Sequence, residues 1–220
     1  MPNFRRQKQR MKNFSKTTGL IGVTLLVCLG LVSQSRAAAV LFDNLGQPGG
    51  GYSSTSLVSL AQAFTTTSTN FVFSEVSLPL WRRAGAAGTY EILVWDSTGG
   101  GGSPGAQVGS AIHSGLAENL STTGGSLLTI SGLNVALLPS TTYYLVSRNT
   151  SVAPAGHLFW KLSDNVTSPF YEFSFGSWGG PALSNMEMKI TAVPEPSAGV
   201  LLTLGIGGVI ALRRIGRKAD

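Results

Sequence analysis

Phe71-Val72-Phe73-Ser74-Glu75-Val76-Ser77-Leu78-Pro79-Leu80 is the stretch that decides the fold class. From Phe73 onward it alternates. Glu75 and Ser77 fall on one side with Phe73, and Val76, Leu78 and Leu80 fall on the other. A period of two in aromatic and β-branched residues marks a strand with one face buried. Thr89 to Trp95 repeats the pattern and stops at Asp96. Leu127–Ile130, Thr142–Arg148, His157–Leu162, Phe170–Phe175 and Met186–Ala192 follow, with a poorer run at Gln107–His113. Tyr52–Leu57 and Ala61–Thr65 read as opening strands. Turn residues bound every run, and no helical pattern links them, which excludes a parallel α/β sheet. The expectation is a mainly β domain over 40–192: an antiparallel β-sandwich, jelly-roll-like.

The turns are rich in glycine: Gly49–Gly51, Gly99–Gly102, Gly124-Gly125 and Gly179-Gly180. Gly99 to Gly105 is not a phosphate cradle, because no Gly-Lys-Ser/Thr and no helix follow it. It reads as a flexible hairpin loop.

The flanks differ from the centre. The chain has 220 residues and a formal charge of +6, yet residues 40–193 hold five bases against eight acids, a net of −3. The basic excess sits at the two ends, so a nucleic-acid partner is not expected. Residues 1–39 run from a basic stretch through the apolar Leu20–Val32 to Ser35-Arg36-Ala37-Ala38-Ala39, the order of a secretory signal helix. Small residues place the signal peptidase cut after Ala37 or after Ala39. The only cysteine, Cys28, leaves with that segment, so the exported chain has no disulfide.

At the other end, Pro194-Glu195-Pro196 is stiff and extended. Ala198 to Leu212 carries no charge, and Arg213, Arg214, Arg217 and Lys218 follow. As a helix this run covers roughly 22 Å, a short transmembrane span extended by snorkelling arginines. The basic cluster keeps that end cytoplasmic and puts 40–192 on the far side of the membrane.

These three parts in order resemble the PEP-CTERM sorting signal of Gram-negative bacteria, over residues 193–220. The resemblance implies that Pro194, Glu195 and Pro196 are recognised by an exosortase after transient membrane anchoring, in bacteria that make exopolysaccharide. Gly88–Trp95 and Leu137–Val146 resemble the choice-of-anchor extracellular domains, particularly the type R group. That second resemblance implies a surface β domain and assigns no functional residue.

Chemistry-bearing patterns are sparse. His113 and His157 come without a Gly-x-Ser-x-Gly elbow and without cysteine ligands, which argues against triad and zinc chemistry. Glu172 and Glu187 read as strand-face acids rather than a glycosidase pair. No cofactor is expected. Asp43-Asn44 and Asp164-Asn165 are the residues that would hold calcium, and both pairs also read as turn caps. Trp178, set among glycines, and Trp81, beside Arg82-Arg83, are the candidates for stacking on a sugar ring; Trp95 and Trp160 read as core. The expectation is a secreted, non-enzymatic surface protein, a structural or adhesive part of the exopolysaccharide matrix. A carbohydrate-binding module is the alternative and a secreted hydrolase the third reading.

Overall fold

The computed structural model describes residues 37–54, 59–150, 157–164, 170–174, 176–180 and 184–195. The expected signal segment up to Arg36 and the tail from Pro196 lie outside them, and with the tail go the expected transmembrane helix 198–212 and the basic cluster. The chain divides into two units, and Ala38–Glu195 is the one described below.

Among the described residues thirteen strands follow one another: β1 Ala39–Asp43, β2 Gly51–Ser54, β3 Ser59–Thr65, β4 Phe71–Arg82, β5 Thr89–Asp96, β6 His113–Leu116, β7 Leu127–Leu137, β8 Thr142–Asn149, β9 Leu158–Ser163, β10 Phe170–Ser174, β11 Ser177–Trp178, β12 Asn185–Met186 and β13 Lys189–Pro194. They form two antiparallel sheets. The seven-stranded sheet runs β1-β13-β4-β9-β12, with β7 on β4 and β2 on β9. The six-stranded sheet runs β11-β10-β3-β8-β5-β6. The unit is mainly β, as its alternating runs predict. One apolar core serves both sheets: Phe73, Val76 and Leu78 from β4 meet Leu60, Ile92 and Leu145 from β3, β5 and β8.

The long strand β4 differs from the simple alternation expected of it. Phe73 is fully buried in the same core as Val76, not on the side of Glu75 and Ser77. The reason is a bulge at Ser74, where the register slips against both β7 and β13. The extra residue turns the strand over, and the Ser74 hydroxyl donates to Thr191 O at 3.0 Å. Pro79 survives mid-strand because β4 changes partner there. Ser77 is its last residue paired with β13 and Leu80 its first paired with β9, so the missing N–H falls in the gap between them.

The expected strand at Gln107–His113 is not present. Gln107 makes only an isolated bridge to Trp95, and β6 begins at His113. β1, unforeseen, begins at Ala39 and lies beside β13, with Ala39 opposite Ala192.

Candidate functional site

The six-stranded sheet buries both of its faces. On β3, every residue from Ser59 to Phe64 is buried. Leu60 and Phe64 face the shared core, while Ala61 and Ala63 face the other way. Register sets Val146 and Leu93 beside Ala61, and Tyr144 and Trp95 beside Ala63. Tyr171 of β10 lies opposite Ala61. Two alanines thus floor a patch walled by rings. This second cluster consists of Ala61, Ala63, Leu93, Tyr144, Val146 and Tyr171, with Trp95 and Trp178 half-buried against it.

The rings meet edge to face. Trp178 lies 5.7 Å from Trp95 at 81° and 5.1 Å from Phe173 at 60°. Tyr144 and Tyr171 are 5.5 Å apart at 85°. Edge-to-face contacts of this kind hold a ring's orientation beyond what burial alone does. Trp178 sits on the edge strand β11, reached from β10 by a turn through Gly176, and Gly179 N donates back to Glu172 O at 2.7 Å. The Trp95 indole N–H is buried among these rings without an acceptor.

The glycine loop 99–105 is not the flexible hairpin expected. Its neck is closed by Asp96 N to Ala106 O and Gly105 N to Asp96 O, both 2.9 Å. The Asp96 carboxylate accepts from Thr98 Oγ1 at 2.6 Å, Ala106 N at 2.8 Å and Thr98 N at 3.1 Å. Burial would raise the Asp96 pKa, but these donors outweigh it and hold the carboxyl below its ordinary value. The Tyr144 hydroxyl donates to Gly102 O and ties the loop down over the aromatic patch. Burial, with Tyr171 alongside, pushes that phenol well above its ordinary pKa.

Trp81 belongs to a different surface. It stacks on Phe159 across the β4–β9 pair, 5.6 Å apart at 17°, on the outer face of the seven-stranded sheet. Gly51 lets it lie flat, since a Cβ there would come 2.4 Å from Trp81 Cζ2. The two tryptophans singled out by sequence therefore lie on separate sheets and form no common platform.

The remaining candidate residues serve the fold where they are described. His113 Nε2 lies 3.1 Å from the Tyr90 hydroxyl, and burial holds its pKa below the ordinary value. His157 accepts a backbone bond from Arg83 N at 3.1 Å through its carbonyl. Glu187 is buried, ion-paired with Lys161 Nζ at 2.7 Å and accepting from Gly46 N at 3.1 Å. Glu172 lies half-buried on β10. Asp43 pairs with Lys189 at 3.6 Å and caps Leu45 N at 3.2 Å. Asn44 is buried and uses both ends of its amide, donating to Met186 O at 3.2 Å and accepting from Met188 N at 2.7 Å. Asp164 is exposed, with its N–H on Pro48 O at 3.0 Å, and Asn165 lies outside the described residues. Among the described residues no three His, Cys, Asp or Glu side chains gather as a metal site would need.

Of the Pro-Glu-Pro motif, Pro194 ends β13 opposite Phe71, and Glu195 N donates to Asn70 O at 3.0 Å. Pro196 lies outside the described residues. The Pro-Glu-Pro run therefore begins inside the sheet, not after it.

No protein family matches the chain by sequence, and no curated protein does. Two solved structures are similar to it in part. One is the cysteine protease and lectin-like domains of Cwp84, a surface layer associated protein of Clostridium difficile, at 12% identity and TM-score 0.47, covering 63% of this chain and 32% of that one. The other is a variant of the clostridial cysteine protease Cwp84 after propeptide cleavage, at 12% identity and TM-score 0.48, covering 66% and 38%. The chain thus spans about a third of each of these proteins.

Proposed function

We propose that this is an exported surface protein of a Gram-negative bacterium, without enzymatic activity, whose β domain is a structural or adhesive part of the exopolysaccharide matrix. Signal peptidase removes the N-terminal segment. The tail anchors the chain briefly in the membrane and presents Pro194-Glu195-Pro196 to an exosortase. The observation that carries this reading is where the folded unit starts and stops. It spans Ala38–Glu195, and its first and last strands pair side by side, with Ala39 against Ala192. Both segments read as addresses thus fall almost wholly outside it. The connections β3 to β4 to β5, and β7 to β8 to β9 to β10, each pass from one sheet to the other. That alternation supports reading the unit as a jelly-roll-like sandwich.

Cell fractionation tests the export reading. With the full chain expressed, the β domain, detected with an antibody against it, is expected at the cell surface and in the matrix. Retention in the cytosol with both ends intact contradicts it.

The second reading, a carbohydrate-binding module, is favoured by Trp178, a half-buried ring held in a fixed orientation by Trp95 and Phe173. A flat apolar ring of that kind suits the face of a sugar. Loss of polysaccharide pull-down in Trp178→Ala, with Trp81→Ala unchanged and the fold retained in both, favours this reading over a purely structural one.

A further inference from the structure

β7 is an eleven-residue strand with a neighbour on one side only, β4. Among the described residues it is the longest free sheet edge. Proteins commonly blunt such edges with charge, yet the chain carries none from Asn119 to Ser147. Two of the four large apolar side chains exposed in the described unit flank this strand: Leu127 at 55% and Leu138 at 65%.

The strand also turns over in its middle. Leu128 and Ile130 face the core before the turnover; Leu133, Val135 and Leu137 face it afterwards. Gly132, at φ 73°, makes the change where the register against β4 slips. The exposed face accordingly consists of Leu127, Thr129 and Ser131, then Asn134 and Ala136. Face and hydrogen-bonding direction alternate together along a strand. Ser126 O accepts from Leu80 N of β4, so the even-numbered residues up to Ile130 address β4 and, after the turnover, the odd-numbered ones from Leu133 to Leu137 do. The exposed set therefore carries the N–H and C=O groups that point away from it.

We propose that this edge pairs with the same edge of a second copy of the chain, antiparallel, about a two-fold axis between Gly132 and Leu133. In that register Leu128 meets Leu137 and Ile130 meets Val135 of the second copy on the core side. Leu127 meets Leu138, Thr129 meets Ala136, and Ser131 meets Asn134 on the exposed side. Core-facing residues meet core-facing residues only because the strand turns over at Gly132. Shifting the register by one residue sets every core-facing side chain against an exposed one. A two-fold interface brings one surface onto itself, and an uncharged strand does this without like-charge repulsion. The two exposed leucines at the strand's ends then cover each other at both ends of the joint.

The test is the molecular mass of the full chain in detergent micelles, by sedimentation, with circular dichroism to confirm that each variant keeps its sheets. The wild type is expected as a dimer. Leu127→Asp sets a carboxylate against Leu138 of the second copy and is expected to abolish the dimer. Adding Leu138→Lys to Leu127→Asp restores it, because the new charges then meet across the interface, and adding Leu138→Asp instead does not. Within one chain positions 127 and 138 stand at opposite ends of β7, so the rescue cannot be internal. A monomeric wild type, a dimer that persists in Leu127→Asp, or a double variant that stays monomeric each overturns the proposal.

Discussion

The six-stranded sheet has two buried faces of opposite character. The inner face joins a core built by both sheets, filled by aliphatic side chains with phenylalanine and Trp160. The outer face is covered by its own loop and hairpin and filled by rings over two alanines. The inner core holds the two sheets together. The outer cluster holds only the β10–β11 hairpin and the glycine loop against one sheet. Damage to the first should reach the whole unit, and damage to the second should stay local.

The largest difference should come from comparing two tryptophans. Trp160 is fully buried and its indole donates to Glu187 O at 2.6 Å. Trp160→Ala should cost about 4 kcal/mol, a large part of a typical domain's stability. Trp178 is half-buried, so Trp178→Ala should cost about 2 kcal/mol. Denaturation midpoints of the two variants measure the gap; equal losses would show that the outer cluster is as integral as the core.

Next is the ion pair between Lys161 and the buried Glu187, on the face of β9 turned away from the core. Lys161→Met leaves Glu187 buried without its counter-ion and should cost about 2 kcal/mol, measured in the same way. A smaller effect is expected at Tyr144. Tyr144→Phe removes the tie to Gly102 and should cost about 1 kcal/mol. Amide exchange should quicken at Gly99, Gly102 and Ser103, while β4 amides keep their protection.

The smallest effect is electrostatic. Burial holds His113 below its ordinary pKa of 6.5, so the unfolded chain takes up that proton first. The resulting stability is present above the ordinary value and declines as pH falls below it. Asp96, also held below its ordinary value of 3.8, keeps the loop neck closed above that value and releases it as pH falls further. Denaturation midpoints measured from pH 7 to pH 5 should drop slightly in the wild type and less in His113→Phe.

How far the sequence foretells this arrangement depends on which strand is read. Strands rich in aromatic and β-branched residues announce themselves: Thr89 to Trp95 and Thr142 to Arg148 are legible from residue type and turn signals alone. The side of Phe73 was not, because a bulge at Ser74 depends on the slip of two neighbouring strands and leaves no mark in local composition. β1 and β6 are short edge strands; β1 takes a partner far along the chain, β13, and β6 folds back on β5 across the glycine loop. The outer cluster did leave a signal. Ser59–Phe64 and Tyr143–Ser147 lack clean alternation, which is what a strand buried on both faces looks like. Trp95 was read as core for its strand position, and it packs instead on the outer face, where its register opposite Tyr144 puts it. The glycine run 99–102 suggests slackness until Asp96 and Tyr144 are seen to close it, and the Tyr144 contact comes from 42 residues away.

The export account is tested most directly by the intact mass of the native protein taken from the cell surface. Ala39 is paired in β1, so a cut after Ala37 keeps that strand whole, whereas a cut after Ala39 shortens it. The account predicts a mature chain that begins at Ala38 and ends near Pro196. A surface form that still carries Met1, or that retains residues 198–220, would contradict it.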